Sequence, residues 1–189
     1  MLLRMASEGD IDAMLAIYSQ YINTAITFEC RLPKLSEFTE RIAGIVTCYP
    51  CLVCQEGEMI VGYAYAHRHM ERQAYQWNAE LSIYLDRRFH SRGWGKRLYL
   101  ALMDILRLQG VRTVYAGITL PNAKSVGLHQ KLGFTSVGVY RHTGYKGGRW
   151  RDVAWFEKQI LPTAGKPDAV LPVGQIPAWE IERICQRYC

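Results

Sequence analysis

The sequence predicts a mixed α/β domain built around a single sheet. Segments of alternating apolar and polar residues, which are typical of strands, dominate the middle of the chain. Segments with apolar residues three or four positions apart, typical of amphipathic helices, lie between some of them, and two of these end at a glycine. Because helices separate only some of the strands, we expect a mixed sheet and not a strict βαβ alternation.

The N-terminal third of the chain predicts one strand and two helices. Leu2–Met5 reads as a strand, and Ser7 offers an N-cap to a helix over Ile11–Ile22. One face of that helix carries the apolar residues Ile11, Met14, Leu15 and Tyr18. Ser36–Ile45 predicts a second helix.

The middle of the chain predicts a hairpin, a longer strand and a helix. Residues 51–55 and 59–67 are strand-like segments separated by a short turn around Gly57. Trp77–Asp86 alternates apolar and polar positions as a strand does. Gly93–Gln109 follows as a helix that Gly110 ends.

The remaining third predicts three strands, a helix and a tail. We expect a strand over Val111–Ile118, a helix over Ala123–Leu132, and strands over Phe134–Arg141 and Trp150–Ile160. The chain of 189 residues fits one domain over residues 1–161 and a tail over residues 162–189. The tail holds four of the seven prolines, and Ala178–Arg187 within it predicts a short helix.

The composition of the chain limits where the protein is expected to reside and what it is expected to bind. No apolar run approaches the ~20 residues that span a bilayer, and the N-terminus lacks a signal-type pattern, so we expect a cytoplasmic protein without a membrane partner. The net charge of +6 is compatible with a polyanionic partner, either a nucleic acid or a phosphorylated cofactor, and a solvated, mildly basic surface is the alternative. Cys51 and Cys54 lie in an apolar strand, which favours buried structural thiols over a metal site.

One loop carries the strongest chemical signal. After the strand that ends near Leu85, a basic loop leads into a helix at Gly93 and Gly95. Glycines allow a ligand to approach the backbone closely, and a helix N-terminus offers free N–H groups to a phosphate. Arg92 and Lys96 add positive charge. A plain strand-to-helix turn is the alternative interpretation of these residues.

These residues resemble the coenzyme A loop of the GNAT superfamily of N-acetyltransferases, whose pattern is Gln/Arg-x-x-Gly-x-Gly/Ala. Here the loop reads His90-Ser91-Arg92-Gly93-Trp94-Gly95, with histidine at the first position. A second signature, an asparagine opening a helix that ends in Leu-Gly-Phe, is matched by Asn122 and by Leu132-Gly133-Phe134. The resemblance implies a mostly antiparallel sheet with helices on both faces and acetyl-CoA as co-substrate, with no metal.

Three further segments are similar to the phosphinothricin and methionine sulfoximine acetyltransferase branch of that superfamily. They are Arg72–Glu80, Gly144–Val153 and Val170–Val173. The resemblance implies acetyl transfer to the amino group of a small amino-acid analogue, and a homodimer. The likeness extends from about residue 2 to about residue 175.

The resemblance assigns candidate catalytic and cofactor residues. Glu80 is the candidate general base, because an ammonium group must lose a proton before it attacks a thioester, and its apolar neighbours in sequence are expected to desolvate its carboxylate in part. A solvated glutamate at a strand edge is the alternative. His129 stands where many GNAT enzymes place a tyrosine acid, with helix packing as the alternative. The candidate cofactor-binding residues are Ile83, Tyr84, Leu85, Ser91, Arg92, Gly93, Trp94, Gly95, Lys96, Asn122 and Ser125. Asn122 also suits the N-cap of the following helix.

The candidate substrate residues precede Glu80. The guanidinium of Arg72 suits a carboxylate or phosphinate, with a solvated loop arginine as the alternative. Tyr75 and Trp77 are expected to wall the pocket, and Lys146 and Arg149 are weaker candidates in a glycine-rich hairpin.

Other functions fit less well. A polyamine site should be acidic, whereas residues 68–72 hold two arginines and one glutamate. An acyltransferase for protein N-termini stays an open alternative. A non-catalytic acyl-CoA sensor would not need Glu80, and no nucleic-acid-binding motif is present.

Overall fold

Seven strands form one sheet in the computed structural model, which describes residues 1–189. The strands are β1 (Leu2–Met5), β2 (Cys51–Glu56), β3 (Met59–Arg68), β4 (Asn78–Leu85), β5 (Thr113–Thr119), β6 (Thr135–Lys146) and β7 (Arg149–Gln159). Their order across the sheet is β1-β2-β3-β4-β5-β7-β6. Only β4 and β5 pair in parallel, so the sheet is mixed and mostly antiparallel, as predicted.

Five helices cover both faces of the sheet. They are α1 (Ile11–Ser19), α2 (Leu35–Val46), α3 (Trp94–Gln109), α4 (Ala123–Lys131) and α5 (Ala178–Arg187). On one face, α1 and α2 contribute to a cluster of 10 buried residues. On the other face, α3 and α5 contribute to the main core of 31 buried residues. The predicted fold class is therefore confirmed.

The alternation of side chains along β3 and β4 decides which face each residue occupies. Tyr63 on β3 belongs to the α1–α2 cluster, whereas Ala64 belongs to the main core. On β4, Ala79 and Leu81 are buried in the main core under α3. Because successive side chains on a strand point to opposite faces, Glu80 faces the α1–α2 side.

Two predicted boundaries differ from the structure for local reasons. The helix expected over Ile11–Ile22 ends at Ser19, and successive i to i+3 turns follow because the Tyr21 side chain bonds to the sheet. The strand expected over Val111–Ile118 begins at Thr113. The amide of Val111 still bonds to the carbonyl of Leu106 around Gly110, whose φ is 90°, so Val111 closes α3.

The last strand pair is longer than predicted. The strand expected over Phe134–Arg141 continues to Lys146, which pairs with Arg149 across a two-residue turn. Both turn residues, Gly147 and Gly148, have positive φ, as a tight hairpin of this kind requires. The remaining predicted segments match observed elements within one or two residues at each end.

The C-terminal segment joins the main core. The predicted helix Ala178–Arg187 is confirmed as α5, which packs on α3 and β1. Its residues Ile181 and Ile184 are buried there together with Val173. Cys51 and Cys54 are buried free thiols in β2, and burial raises the pKa of Cys51 to about 12. No helix in the structure is both long and apolar enough to cross a bilayer.

Candidate active site

The two parallel strands at the centre of the sheet separate part-way along their length. β4 and β5 pair only over Asn78–Glu80 and Thr113–Tyr115. Beyond this point β4 continues to Leu85 and β5 to Thr119 without pairing to each other. The other edge of β4 stays paired with β3 as far as Leu85. The inner edge of β4 after Glu80 therefore offers backbone groups to a ligand lying in the fork.

The loop that follows β4 ends in an open helix N-terminus. Ser91 and Gly93 have φ values of 62° and 85°, and Gly93 is the N-cap of α3. The amide of Arg97 is the first to bond back, to the carbonyl of Gly93. The amides of residues 94–96 are thus free, and a Cβ added at Gly93 would meet no atom within 4 Å. Free amides beside an open backbone form a site for a phosphate.

Basic and aromatic side chains surround this helix N-terminus. Arg92 stacks over the Phe89 ring at 4.8 Å and lies 3.8 Å from Glu56. Arg97 stacks over the indole of Trp94 at 5.6 Å, and Lys96 is exposed. The Trp94 Nε1 atom is buried without a hydrogen-bond partner. The surroundings carry positive charge suited to a phosphorylated ligand.

The chain's departure from the GNAT loop pattern has a local structural role. His90 stands at the position of the pattern's glutamine or arginine, and its Nε2 lies 2.8 Å from the Tyr21 hydroxyl. The same hydroxyl donates to the carbonyl oxygen of Leu85. His90 therefore ties the loop to the end of β4 and to the segment after α1.

Glu80 lies at the point where β4 and β5 separate, paired with Tyr115. Its side chain is 23% exposed and lies between two histidines. Its Oε1 is 4.0 Å from Nε2 of His67, and its Oε2 is 3.5 Å from Nδ1 of His69. The apolar residues that flank Glu80 in sequence, Ala79 and Leu81, face the opposite side of the sheet. The expectation that those neighbours desolvate the carboxylate is therefore wrong. The carboxylate of Glu80 is partly exposed and lies beside two imidazoles.

The two histidines beside Glu80 were not among the site residues predicted from the sequence. His67 pairs with Glu80 across β3 and β4, and His69 follows two positions later. The alternation Tyr65, His67, His69 carries the signal, because alternate residues of a strand share a face. Its meaning depends on the cross-strand register, which the sequence alone does not give.

His129 is buried on the other face of the sheet. It is 2% exposed and packs edge-on against Tyr99 and Phe134. Its Nδ1 lies 2.8 Å from the carbonyl oxygen of Ser125, which can only accept, so a neutral ring carries its proton on Nδ1. Burial lowers the pKa of His129, which further favours the neutral ring. Its Nε2 then bears a lone pair, and the arrangement supports the packing alternative over an acid.

Asn122 caps α4. Its side-chain oxygen accepts from the amide of Ser125 at 3.1 Å, which confirms the predicted N-cap. The strand residues Ile83 and Leu85 pack partly into the main core, whereas the ring of Tyr84 packs among tyrosines on the α1–α2 side. These side chains fix β4, and its backbone edge remains available in the fork.

The three candidate substrate residues occupy the connection between β3 and β4. Arg72 precedes a short 3-10 turn that ends at Tyr75, both residues are exposed, and Arg72 forms no ion pair. Trp77 differs from the expectation of a pocket wall. Its indole Nε1 donates to the carbonyl of Asp168 at 2.7 Å, so the C-terminal segment holds this ring. Arg72 and Tyr75 are therefore accessible to a ligand, whereas the indole N–H of Trp77 is already bonded within the protein.

Comparisons with known proteins agree with this geometry. A family model described as an acetyltransferase (GNAT) domain matches residues 3–155. A phosphinothricin N-acetyltransferase of Streptomyces viridochromogenes is 35% identical, over 92% of this chain and 95% of that protein. An L-methionine sulfoximine/L-methionine sulfone acetyltransferase of Salmonella typhimurium is 30% identical, over 89% and 99%. The crystal structure of a Sinorhizobium meliloti phosphinothricin acetyltransferase with acetyl-CoA matches with a TM-score of 0.85 and 33% identity, over 93% and 95%.

A forked sheet, an open helix N-terminus and a carboxylate at the fork fit the class that the comparisons show, an acyltransferase that uses a coenzyme A thioester. The chain belongs to the GNAT family of acetyltransferases. It is an acetyl-CoA-dependent N-acetyltransferase, and its similarity to the phosphinothricin and methionine sulfoximine branch, predicted from its motifs, is confirmed.

Proposed function

We propose that the protein transfers the acetyl group of acetyl-CoA to the amino group of a small amino-acid analogue of the phosphinothricin, methionine sulfoximine or methionine sulfone type. The position of Glu80 at the fork between β4 and β5 carries this proposal, because it puts a carboxylate where the thioester and the amine would meet. The names of the relatives supply the substrate class.

Acetyl-CoA fits the fork and the loop. The free amides of residues 94–96 suit its pyrophosphate, helped by Ser91, Arg92 and Lys96. The unpaired edge of β4 over Ile83–Leu85 suits the pantetheine arm, and one of its amides would polarise the carbonyl oxygen. When bound, acetyl-CoA supplies the activated acetyl group and a thiolate leaving group.

Proton removal depends on Glu80 in this proposal. An amine with an ordinary pKa of about 10 is mostly protonated at neutral pH, so a base must accept a proton from it before it attacks. Glu80 is the carboxylate at the fork and is partly exposed to the space where an amine would enter. His129 is proposed as a packing residue beneath α4, since its free nitrogen accepts and does not donate.

The substrate's own charges suit the β3–β4 connection. The exposed, unpaired guanidinium of Arg72 is proposed to bind a carboxylate or phosphinate, and Tyr75 to cover the bound molecule. Trp77 would support this connection through its bond to Asp168 and would not touch the substrate directly.

A homodimer is part of the proposal. The β6–β7 hairpin lies at the sheet edge and exposes Val137, Tyr140, Tyr145 and Trp150, each more than half exposed. An apolar edge strand of this kind is expected to be covered by a second chain. Light scattering coupled to size-exclusion chromatography would give the mass, and a Trp150→Glu variant should shift it toward the monomer. The cytoplasm stays the predicted location.

The function is tested by release of free thiol from acetyl-CoA. Phosphinothricin, methionine sulfoximine, methionine sulfone, spermidine and a short peptide are offered separately. Release with the amino-acid analogues alone supports the proposal. Release only with spermidine or the peptide would keep the enzyme class and discard the substrate, and bound acetyl-CoA without any release would favour an acyl-CoA sensor.

A further inference from the structure

An imidazole lies at the fork together with the proposed base. His69 follows the end of β3, and its Nδ1 lies 3.5 Å from Oε2 of Glu80. This separation is slightly longer than a hydrogen bond, and such contacts often shorten when substrate binds. The Nδ1 atom is buried and has no other partner. The carboxylate is therefore the only group positioned to satisfy it.

Aromatic side chains fix the plane of the His69 ring. The ring stacks on Tyr115 with centroids 4.2 Å apart and planes 6° apart, and it meets Trp155 edge-on at 5.4 Å. Tyr115 is the β5 residue paired with Glu80 at the last position before the strands separate. The ring is thus held at the mouth of the fork, where the amine and the thioester would meet.

The hydrogen-bonding capacity of the pair decides how protons are arranged. An ionised carboxylate only accepts, so Nδ1 of His69 faces it as the protonated nitrogen. The neutral ring then carries its lone pair on Nε2. Nε2 makes no hydrogen bond to the protein and is not among the buried atoms. One nitrogen is therefore committed to Glu80 and the other is free to accept a proton.

Resting on the proposed function, we infer that His69 and Glu80 form a proton-accepting pair in which Nε2 of His69 receives the proton of the attacking amine. One N–H bond of the ammonium breaks as an N–H bond forms at Nε2, and the freed lone pair of the amine then attacks the thioester carbon. The C–S bond breaks, and the coenzyme A thiolate leaves with the second amine proton. The resulting imidazolium keeps its Nδ1–H toward Glu80, whose negative charge stabilises it. The proton then leaves from Nε2 to water, which restores the neutral ring. His69 takes the proton, and Glu80 is the positioning residue of the pair. Glu80 contributes to proton removal through its contact with His69.

The chemical advantage lies in the match between base and pH. General base catalysis is most effective when the base titrates near the working pH, and free imidazole titrates about two pH units above a free carboxylic acid. The residues in contact with the ring are Glu80 on β4, Tyr115 on β5 and Trp155 on β7. A second carboxylate, that of Glu157 on β7, lies beside Tyr115, and Glu80 is the one that faces Nδ1 of His69.

His67, two positions earlier on β3, provides a matched control. Its Nδ1 lies 3.0 Å from the carbonyl oxygen of Arg68, so that nitrogen carries the proton. Its Nε2 is directed at Oε1 of Glu80 at 4.0 Å. His67 therefore presents its unprotonated nitrogen to the carboxylate, beyond hydrogen-bond distance, and lacks the protonated nitrogen facing Glu80 on which the pair depends, although it is the β3 residue paired with Glu80.

The test compares His69→Phe with His67→Phe in the full-length enzyme. Phenylalanine keeps an aromatic ring to stack on Tyr115 and removes both nitrogens. We expect His69→Phe to lower kcat by ~10²-fold at neutral pH, as loss of a general base does, with the KM for acetyl-CoA little changed. The dependence of kcat on pH should also differ from that of the parent, because the group that accepts the proton has been removed. His67→Phe should stay within about threefold of the parent.

Chemical rescue separates proton transfer from packing. In His69→Ala, added imidazole should raise the rate in a saturable manner, and the same addition should leave the parent enzyme unaffected. A His69→Phe enzyme with the parent rate and pH profile would overturn the inference, as would a slow His69→Ala enzyme that imidazole does not accelerate. If the parent releases no thiol with any amine, the proposed function fails first. If the parent is active and only Glu80→Gln is slow, the function stands and the pair is discarded.

Discussion

Nε2 of His90 lies 2.8 Å from the hydroxyl of Tyr21, which itself donates to the carbonyl oxygen of Leu85. Because the single hydroxyl proton goes to Leu85, the histidine nitrogen is the donor in the other bond. The two rings also stack with their planes 17° apart. The segment after α1 is thereby joined to the end of β4 and to the start of the loop that leads into α3.

Removing the Tyr21 hydroxyl should loosen this loop. In Tyr21→Phe, the carbonyl of Leu85 and the ring of His90 lose their shared partner. We expect the KM for acetyl-CoA to rise about threefold to tenfold, and the free energy of unfolding to fall by about 1–2 kcal/mol. Initial rates at varied acetyl-CoA and urea denaturation would measure both. Tyr145→Phe removes a hydroxyl that forms no hydrogen bond, and it should change neither quantity.

The open backbone at Gly93 gives a second prediction. A Cβ there would meet no atom within 4 Å but would force an L residue into φ 85°. Gly93→Ala should cost about 1–2 kcal/mol of stability, and it should weaken acetyl-CoA binding because the methyl group projects where the pyrophosphate would approach.

Gly57→Ala is the matched control for Gly93. Gly57 also has positive φ, at 60°, and also has no atom within 4 Å of an added Cβ, but it lies in the β2–β3 turn. It should lose similar stability and bind acetyl-CoA normally in a calorimetric titration. Equal affinities for the two variants would mean that Gly93 has no part in cofactor binding.

The fold followed from local patterns, whereas the arrangement of the site depended on contacts between distant segments. Alternation along β4 and the glycines around α3 are local features, and both were predicted. The end of α1 depends on the bond from Tyr21 to Leu85, 64 positions away in sequence, and the Trp77 indole is fixed by Asp168, 91 positions away. Neither contact leaves a periodic signal.

The surroundings of Glu80 show the same limit. Its apolar chain neighbours predicted a desolvated carboxylate, but those side chains face the opposite side of the sheet. The residues beside Glu80 come from β3 through cross-strand register, and His69 in particular comes from beyond the strand end. A residue's partners across a sheet require the register, which turn geometry and packing set together.

Glu80→Gln should separate the charge of this side chain from its shape. The amide keeps the size and one acceptor but cannot stabilise a positive charge or accept a proton. We expect kcat to fall by ~10²-fold with the KM for acetyl-CoA little changed. Glu157 on β7 is the residue paired with Tyr115 of β5, two strands away from Glu80. Glu157→Gln should therefore retain most activity. An unchanged rate in Glu80→Gln would remove this residue from the mechanism.

His129 should make the protein less stable in mild acid. Burial lowers the pKa of this histidine in the folded state, whereas in the unfolded chain it titrates near 6.5. Between those two values the unfolded state binds more protons, so the free energy of unfolding rises with pH in that range. Stability should therefore fall as the pH is lowered through 6.5, until the folded-state pKa is reached.

His129→Phe tests both this linkage and the role of the side chain. Phenylalanine suits the surrounding rings of Tyr99, Phe134 and Phe156 and does not titrate. The difference in urea midpoints between pH 7.5 and 5.5 should shrink in the variant. Its kcat should stay within about threefold of the parent, and a loss of ~10²-fold would instead assign His129 a direct part in proton transfer.

Arg72→Ala should weaken binding of the amine substrate alone. Arg72 lies on the short connection that leaves His69 and returns to Glu80, and its exposed guanidinium forms no ion pair. Without a charge-assisted bidentate pair of hydrogen bonds to the bound carboxylate or phosphinate, the KM of the amine should rise by about 10- to 100-fold. The KM for acetyl-CoA should not change, since the loop proposed to bind coenzyme A follows the opposite end of β4.

Two further arginine variants make this result specific. Arg72→Lys keeps the charge and loses the planar fork, so it should recover only part of the affinity. Arg68→Ala removes a neighbouring guanidinium that already donates to the carbonyl of Glu71, and it should leave the amine KM near that of the parent. If Arg68→Ala and Arg72→Ala weaken the amine equally, the effect is one of general positive charge along this connection. A selective loss in Arg72→Ala, partly restored by lysine, would show that one guanidinium recognises the acidic group of the substrate.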